Sequence, residues 1–222
     1  MDVSVLKSCR LFRALAEEEI QAALRQIPYS LQTYEKEEPV FRLMDPADRV
    51  GIILEGRVQA QKIFPNGGQV NVSVRAAGEL IGPAATFSAQ GRYPCEIIAL
   101  ERTEVLMIGR DAVIALLQAD GRIMANFLSE LASATFLLQQ RLELLSYNAI
   151  HQKIAFYLLL HFMQTGSRRV PIPESMTKWA LMMNVSRPSL HRELKKMETQ
   201  GAVRYAPPVI EILNAGALQE ML

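Results

Sequence analysis

The spacing of hydrophobic residues along the chain changes twice, and these changes separate three regions. Residues 2–27 follow a helical period, in which Ile20, Leu24 and Ile27 recur every three or four positions. Between about residues 31 and 108, short β-prone runs alternate with turn residues, and the NGG sequence at 66–68 predicts a hairpin. Roughly eight short strands in about 80 residues predict a sandwich, a barrel or a jelly roll.

A long helix is predicted after the β-region, because the pattern is helical from Asp111 to about Tyr147 with one weak break at Gly121. Its hydrophobic positions alternate by four and three residues, which is typical of a coiled-coil seam. We expect a parallel homodimer, since the chain has no second long helix to cover the seam; the alternative is a helix buried in a monomer. The seam comprises Met124, Leu128, Leu131, Thr135, Leu138, Leu142 and Leu145. A second stripe is available to pack on the β-region and comprises Ile123, Phe127, Ala134, Leu137 and Leu144.

The C-terminal region combines an apolar helix, two further helices and a two-strand ribbon. The run AIHQKIAFYLLLHFMQ predicts the first helix, a second begins near Ser175, and VRYAPPVIEILN is typical of a ribbon. This order of elements predicts a winged helix-turn-helix. We therefore expect an α+β protein in three parts: a β-domain with N-terminal helices (1–110), a linker and dimerisation helix (111–147), and a winged helix-turn-helix domain (148–222).

The stretch from Met176 to Leu194 has several independent features of a helix-turn-helix. Asn184 lies where the chain must reverse and tolerates a positive φ, Ser186 is a good N-cap, and Pro188 falls in the first turn of the following helix. The predicted inner residues are Ala180, Leu181 and Met183 in the first helix, Val185 between the helices, and Leu190, Leu194 and Met197 in the second.

The residues left outside on the second helix are of the types that a recognition helix presents to DNA. Arginine can donate two hydrogen bonds to guanine O6 and N7, and lysines near the far end suit phosphates. The alternative is an ordinary solvated basic face, but the cap, the proline, the apolar stripe and the stop at Gly201 coincide here. The candidate DNA-contacting residues are Ser186, Arg187, Ser189, His191, Arg192, Lys195 and Lys196.

Charge is unevenly distributed, although the formal net charge is only +1. Residues 148–222 hold nine Lys/Arg and five Asp/Glu, a net charge of about +4, which leaves 15 and 18, a net charge of about −3, for residues 1–147. Cys9 and Cys95 are too few for a disulfide scaffold, a zinc site or an iron–sulfur cluster. The sequence shows no secretion signal or membrane-spanning run, so we expect a cytoplasmic protein with no membrane contact.

The sequence resembles the Crp/Fnr superfamily of bacterial transcription regulators over nearly its full length. The segments that carry the resemblance are DPADRVGIILEGRVQAQK, GELIG, RTEVLMIGRDAVIALL, the long helix, KIAFYLLL and NVSRPSLHRELKKMETQGAV. The resemblance implies a cyclic-nucleotide-binding-type β-roll, which is a jelly roll, together with a dimerisation helix and a C-terminal winged helix that binds a palindromic operator.

The resemblance also assigns roles within the recognition helix. An arginine, a hydroxyl residue and a second arginine in the family pattern correspond to Arg187, Ser189 and Arg192. Many members carry a base-reading glutamate where this chain has Pro188, so the half-site is expected to differ from the best-known family sequence. His191 occupies a position that varies in the family, and it is as well suited to an ordinary surface role as to a base or phosphate contact.

The effector region departs from the pattern of cyclic-nucleotide binders. In those members a glutamate follows the second glycine of a segment like GELIG, and an arginine for the phosphate comes about ten residues later. Here Pro83 follows Gly82, and Arg92 is one position out of register, on the opposite strand face. Cyclic AMP is therefore disfavoured, and the candidate effector-pocket residues are Gly78, Glu79, Gly82, Arg92, Tyr93 and Cys95.

The cysteine and histidine content bears on the other signals that members of the family sense. An iron–sulfur sensor needs about four cysteines, and a histidine-ligated heme or metal centre needs histidines in the β-domain, whereas all three histidines follow the long helix. Redox sensing by Cys9 or Cys95 stays open, although a buried small hydrophobe is the commoner role. The default is an unidentified small organic ligand between roll and dimer helix. Glu37 and Met44 replace customary glycines, so those turns are expected to be remodelled.

Three functional hypotheses follow from the sequence. The first is a homodimeric transcription regulator gated by a small molecule or a redox signal, and activation would additionally require a surface that contacts RNA polymerase. The second is a sensory dimer that does not bind DNA and whose winged helix docks a protein partner. An enzyme is disfavoured, because no Ser/His/Asp, Cys/His or phosphate-loop arrangement is present.

Overall fold

The computed structural model describes residues 4–63 and 69–222. The side chains of residues 63–72 are not included in this description. The chain divides into two compact units, Met1–Ala134 and Thr135–Leu222. Each unit has its own hydrophobic core or cores, and the long helix runs through the division.

Unit 1 contains a β-roll of two four-stranded antiparallel sheets, as the α+β prediction requires. Short helices α1 (Ser4–Ser8) and α2 (Glu17–Arg25) flank a 3-10 helix (Arg10–Phe12) ahead of the roll. The first sheet, in spatial order, is β1 (Tyr29–Tyr34), β8 (Thr103–Gly109), β3 (Arg49–Glu55) and β6 (Leu80–Ile81). The second is β2 (Pro39–Phe41), β7 (Glu96–Ala99), β4 (Arg57–Ile63) and β5 (Gln69–Ala76), and the short helix α3 (Pro83–Thr86) follows β6.

Strand β3 shows why the roll has cores on both sides of its first sheet. Successive side chains of a strand point to opposite faces, and here both faces are buried. Ile52 faces the core formed with the N-terminal helices, whereas Ile53 faces the core between the two sheets. Strands β4 and β5 pair antiparallel, as the hairpin prediction requires, and the predicted turn at 66–68 lies outside the described residues.

The two predicted helices after the roll are present as α4 (Arg110–Ala119) and α5 (Gly121–Ser146). Arg122 fastens the start of α5, because its guanidinium lies 2.6 Å from an Asp120 carboxylate oxygen and 2.8 Å from one of Glu19 in α2. Ile123 and Phe127 are buried in the core beside the N-terminal helices.

The second stripe of α5 packs as predicted only in its first half. Leu144 belongs to the core of unit 2, and the Leu137 side chain is 64% exposed. The expectation that these two residues pack on the β-region is wrong, because Leu144 is buried among side chains of unit 2 and Leu137 is open to solvent.

Unit 2 is the predicted winged helix-turn-helix with two additional elements. It comprises α6 (Ile150–Thr165), β9 (Arg169–Pro171), α7 (Met176–Met182), α8 (Arg187–Thr199), β10 (Val203–Ala206), β11 (Val209–Ile212) and α9 (Ala215–Glu220). The predicted two-strand ribbon is a three-stranded sheet, because β9 pairs with the far edge of β11. Its core includes the fully buried Trp179, Leu190 and Ile210.

Two turns of the roll keep a left-handed backbone without glycine. Glu37 has φ 70° and Met44 has φ 67°. Both turns are held by hydrogen bonds to distant segments: the Glu37 N–H donates to Ala99 O of β7 at 2.8 Å, and the Met44 N–H donates to Tyr93 O, outside the strands, at 2.9 Å. Both positions thus have the left-handed backbone that suits glycine, and the surrounding hydrogen bonds hold a conformation that L side chains disfavour.

Candidate DNA-binding face and effector cavity

The turn between α7 and α8 is built from local signals that the sequence carries. Asn184 has φ 53°, the left-handed conformation expected at the reversal. The Val185 N–H donates to Ala180 O at 3.0 Å, which closes the turn. Ser186 caps α8, because its Oγ accepts a hydrogen bond from the Ser189 N–H at 3.2 Å, and Pro188 lies in the first turn.

The recognition helix α8 is anchored by a fully buried stripe. Leu190, Leu194 and Met197 are buried, as their i, i+4, i+7 spacing predicts. The prediction for α7 is partly wrong, because Leu181 is 76% exposed, and Trp179 rather than Leu181 fills the core. The spacing of four residues between Trp179 and the buried Met183 is the signal that identifies this inner face.

A buried lysine fixes the end of α7, and sequence reasoning missed it. The Lys153 side chain of α6 is buried, and its ammonium donates a hydrogen bond to Met183 O at 3.0 Å. Met183 is the C-terminal cap of α7, where carbonyls lack partners within the helix. Lys153 therefore ties α6 to the turn that precedes α8.

The structure places all seven candidate DNA-contacting residues on α8 or its cap. The two serines form the cap: Ser186 Oγ also donates to Ser189 Oγ at 2.8 Å. His191 makes an edge contact with the Tyr205 ring of β10, with centroids 5.6 Å apart. The candidates exposed to solvent are Ser186, Arg187, His191, Arg192, Lys195 and Lys196, and Ser189 is partly buried.

The basic side chains of α8 differ in their ionic partners. Lys195 Nζ lies 2.8 Å from a Glu198 carboxylate oxygen and 5.3 Å from the centre of the Tyr205 ring. The ammonium of Lys195, together with a hydrogen bond from the Tyr205 N–H, lowers the pKa of Glu198. Lys196 Nζ lies 3.6 Å from Glu193. Within residues 4–63 and 69–222, the guanidinium groups of Arg187 and Arg192 have no carboxylate partner.

A cavity of about 210 Å³ lies in unit 1 between the roll and the first half of α5. Of the predicted effector-pocket residues, Gly82, Tyr93 and Cys95 line it. Its apolar wall comprises Val58, Ala60, Leu80, Ile81, Pro83, Ala84, Ala85, Pro94, Ile97, Leu131 and Ala134.

The other three predicted pocket residues serve the roll itself and do not line this cavity. The Gly78 N–H donates to Ile53 O at 2.8 Å. A Glu79 carboxylate oxygen accepts a hydrogen bond from the Ala76 N–H at 2.8 Å, so this side chain closes a turn. Arg92 donates to Met44 O at 2.7 Å and is exposed.

Sequence reasoning missed the ionic groups that do reach the cavity. Arg75 and Glu130 line it, but Arg75 is 2.8 Å from Glu79 and Glu130 is 3.3 Å from Arg10. These partners come from other elements, so no local motif reveals them. Because each charge is already paired, the cavity offers a ligand mainly apolar contact.

Burial favours the neutral forms of three titratable groups of unit 1, which are Tyr93, Cys9 and Cys95. Burial raises the pKa of Tyr93, whose hydroxyl donates to Arg49 O at 2.8 Å, to about 12. Burial also raises the pKa of Cys9 to about 11 and raises that of Cys95. Thiolate is the reactive form of cysteine, so at neutral pH neither thiol is activated.

Most of the predicted coiled-coil seam is open to solvent in the single chain. Leu131 is the exception, since it is half-buried against the core of unit 1 and lines the cavity. The Leu142 side chain is 69% exposed, and the remaining exposed seam residues are Met124, Leu128, Thr135, Leu138 and Leu145.

The described part of the chain contains no group of three or more His, Cys, Asp or Glu side chains arranged to hold a metal ion. None of its helices is both long enough and apolar enough to cross a membrane.

Each unit contains a segment that matches a known domain family. Residues 31–120 match the cyclic nucleotide-binding domain family, and residues 152–221 match the Crp-like helix-turn-helix domain family. The chain is a regulator of the Crp/Fnr family. Members of this family are DNA-binding transcription regulators rather than enzymes, and they are typically dimeric.

Relatives of this Crp/Fnr regulator align along much of its length. It is 25% identical over 216 residues to the cyclic AMP receptor protein of Thermus thermophilus, covering 97% of this chain and 98% of that protein. The global nitrogen regulator of Nostoc sp. is 23% identical over 167 residues, 74% of this chain and 73% of that protein. The crystal structure of the Thermus thermophilus catabolite activator protein superimposes with a TM-score of 0.57 at 25% identity, covering 96% of this chain and 97% of that one.

Proposed function

We propose that the chain binds an inverted-repeat DNA site as a homodimer, with α8 of each protomer in a major groove. The observation that carries this proposal is the pair of exposed arginines, Arg187 and Arg192, which have no acidic partner in the described chain and stand on a helix with a fully buried opposite stripe. A rigid helix with uncompensated guanidinium groups suits two-pronged recognition of guanine edges.

The base preference and the phosphate contacts divide along α8. Pro188 carries no side-chain acceptor, so we propose that the half-site lacks the cytosine contact that a glutamate would make at this position. Lys195 and Lys196 would reach phosphates only by exchanging their contacts with Glu198 and Glu193. We therefore assign more of the sequence reading to the arginines than to the lysines.

The exposed row of α5 supports the pairing of two protomers. Thr135 is the one polar residue in a seam that otherwise exposes leucines and methionine to solvent. Pairing two such helices in parallel covers the row and relates two α8 helices by a two-fold axis, which a palindromic DNA site matches.

The proposed effector is a small, mostly apolar molecule in the cavity beside α5, rather than a cyclic nucleotide. An enclosed phosphate needs an unengaged cation, whereas the cavity's arginine, Arg75, is already paired with Glu79. Occupancy of a cavity that Leu131 and Ala134 also line would bias the position of α5, and thereby the spacing of the two recognition helices.

Selection of bound sequences from a random DNA pool, with and without small molecules from a cell extract, tests the proposal. We expect an inverted repeat that is enriched with extract. Cys9→Ser with Cys95→Ser should leave this enrichment unchanged, and its loss would favour redox gating. No enrichment under reducing or oxidising conditions would favour the protein-docking hypothesis for the winged helix.

A further inference from the structure

A second cavity of about 340 Å³ lies entirely within unit 2, between the end of α5, α6 and the end of α7. Its apolar floor includes Leu144, Phe156 and Leu160, and Met182 of α7 completes one side. A volume of a few hundred cubic ångströms is at the small end of the range found for pockets that hold small organic ligands.

Besides Tyr157, whose hydroxyl donates to Pro171 O, four polar side chains line this groove, and each can donate hydrogen bonds. They are Gln140, Arg141, His161 and Gln164, and no Asp or Glu lines the groove. Lining that combines a guanidinium with amides and an imidazole, and that lacks carboxylates, is complementary to an anionic group.

Two of these groups lack the partners that buried polar groups normally have. Gln140 Nε2 is enclosed and makes no hydrogen bond. Arg141 has no ion-pair partner among the residues that the structure describes, and burial lowers its pKa. An enclosed amide that makes no hydrogen bond raises the free energy of the folded chain, and the partly exposed guanidinium of Arg141 beside it is not engaged by a carboxylate, so a ligand that satisfies both is favoured.

We propose that this groove binds a small organic anion with an apolar body, such as an aromatic or aliphatic carboxylate. The carboxylate would accept hydrogen bonds from Arg141 and Gln140, while the body would rest on Leu144, Phe156 and Leu160. This ligand site is distinct from the roll cavity, and it rests on unit 2 alone.

The proposed pairing of α5 with a second copy uses a different row of the helix from the one that lines the groove. The groove residues Leu137, Arg141 and Leu144 follow an i, i+4, i+7 row on α5, and the seam residues Leu138, Leu142 and Leu145 follow the same row one position later. One residue corresponds to about 100° around a helix, so the two rows face different directions. Because Met182 ends α7, an occupant would also touch the first helix of the helix-turn-helix.

The test compares 1-naphthoate with its neutral analogue 1-naphthamide by titration calorimetry of the full chain without DNA. Trp179 gives the chain's single indole N–H resonance, and its ring lies 5.3 Å from that of Tyr157, which lines the groove. We expect naphthoate to bind about tenfold more tightly than naphthamide and to shift this resonance.

Arg141→Gln should abolish the preference for naphthoate, and Arg141→Lys should retain part of it. Arg169→Gln, at an exposed arginine of the same unit outside the groove, should leave it intact. Circular dichroism melts confirm that each variant is folded. Equal binding of the two compounds, an unchanged preference in folded Arg141→Gln, or naphthoate binding that leaves the Trp179 signal unmoved would each overturn the proposal. DNA selection is a separate measurement, so either proposal can fail alone.

Discussion

The proposed DNA-binding face and the roll cavity use charged residues in opposite ways. On α8, Arg187 and Arg192 are exposed and have no acidic partner in the described chain. Inside the roll, Arg75 and Glu130 reach the cavity but are paired with Glu79 and Arg10. The difference indicates that the first site favours a polyanion and that the second favours a ligand of low charge.

The largest expected loss of DNA affinity comes from separating the two protomers, because a monomer would contact only one half-site. Leu138→Glu with Leu142→Glu places two carboxylates in the proposed seam. We expect a monomer in analytical ultracentrifugation and a loss of DNA affinity of about 100-fold or more, since the second contact is no longer intramolecular.

Leu137→Glu is the matched control for the seam. Leu137 is about as exposed as Leu138 but lies one position outside the heptad pattern. This variant should remain dimeric and keep its DNA affinity within a few-fold. A dimer that survives the double seam substitution, or that is lost with Leu137→Glu, would assign the interface to another surface.

The second prediction concerns the base specificity of DNA binding, which we assign to the two arginines of α8 that lack acidic partners. Arg187→Ala and Arg192→Ala should each weaken binding to the selected DNA by about 1–3 kcal/mol and relax the base preference at one position. Lys196→Ala should weaken selected and unselected DNA alike by a few-fold, because a phosphate contact is independent of sequence. Fluorescence anisotropy at a fixed salt concentration measures both. A uniform loss for all three variants would contradict the division of roles along α8.

The third prediction concerns the hydrogen bond from Lys153 to Met183 O, which connects α6 to the turn before α8. Lys153→Met removes the hydrogen bond to Met183 O, and Lys153→Arg retains a donor. We expect Lys153→Met to lower the free energy of unfolding of unit 2 by about 1–3 kcal/mol and to weaken DNA binding several-fold, while the dimer persists. Chemical denaturation and anisotropy provide the two readouts. Equal DNA binding by the wild-type chain and Lys153→Met would show that the α7–α8 turn holds its geometry without this bond.

Sequence features within a few residues of one another made the DNA-binding face predictable. The lining of the roll cavity has few such features, so its residues were harder to predict. The cap at Ser186, the positive φ at Asn184 and the stripe from Leu190 are each set within one or two turns of chain, and the structure contains all three. The same local reasoning placed Leu181 inside, and this was wrong, because the inner face of α7 and its cap is formed by Trp179, Ala180 and Met183, which leaves Leu181 on the outer face.

Cavity lining depends on which distant segments pair, and the sequence does not state this directly. Arg75 comes from β5 and Glu130 from α5, and nothing in their neighbourhoods marks either as a pocket residue. Conversely, Glu79 belongs to a recognisable motif but closes a turn through its hydrogen bond from the Ala76 N–H. The motif therefore located the correct segment without identifying which of its side chains face inward.

The smallest expected change is in the free energy of unfolding, and it is tested at one residue with a left-handed backbone in each unit. Met44 in the roll has φ 67° and is exposed, whereas Asn184 before α8 has φ 53°. Asparagine tolerates this conformation better than methionine does, so Met44→Gly should raise the free energy of unfolding by up to about 1 kcal/mol and Asn184→Gly should change it little. Thermal melts of the two variants beside Met44→Ala, which keeps a Cβ and should gain nothing, measure this difference. A gain for Asn184→Gly that matches the gain for Met44→Gly would mean that the two turns are equally strained, and the strain would then not distinguish the roll from the DNA-binding unit.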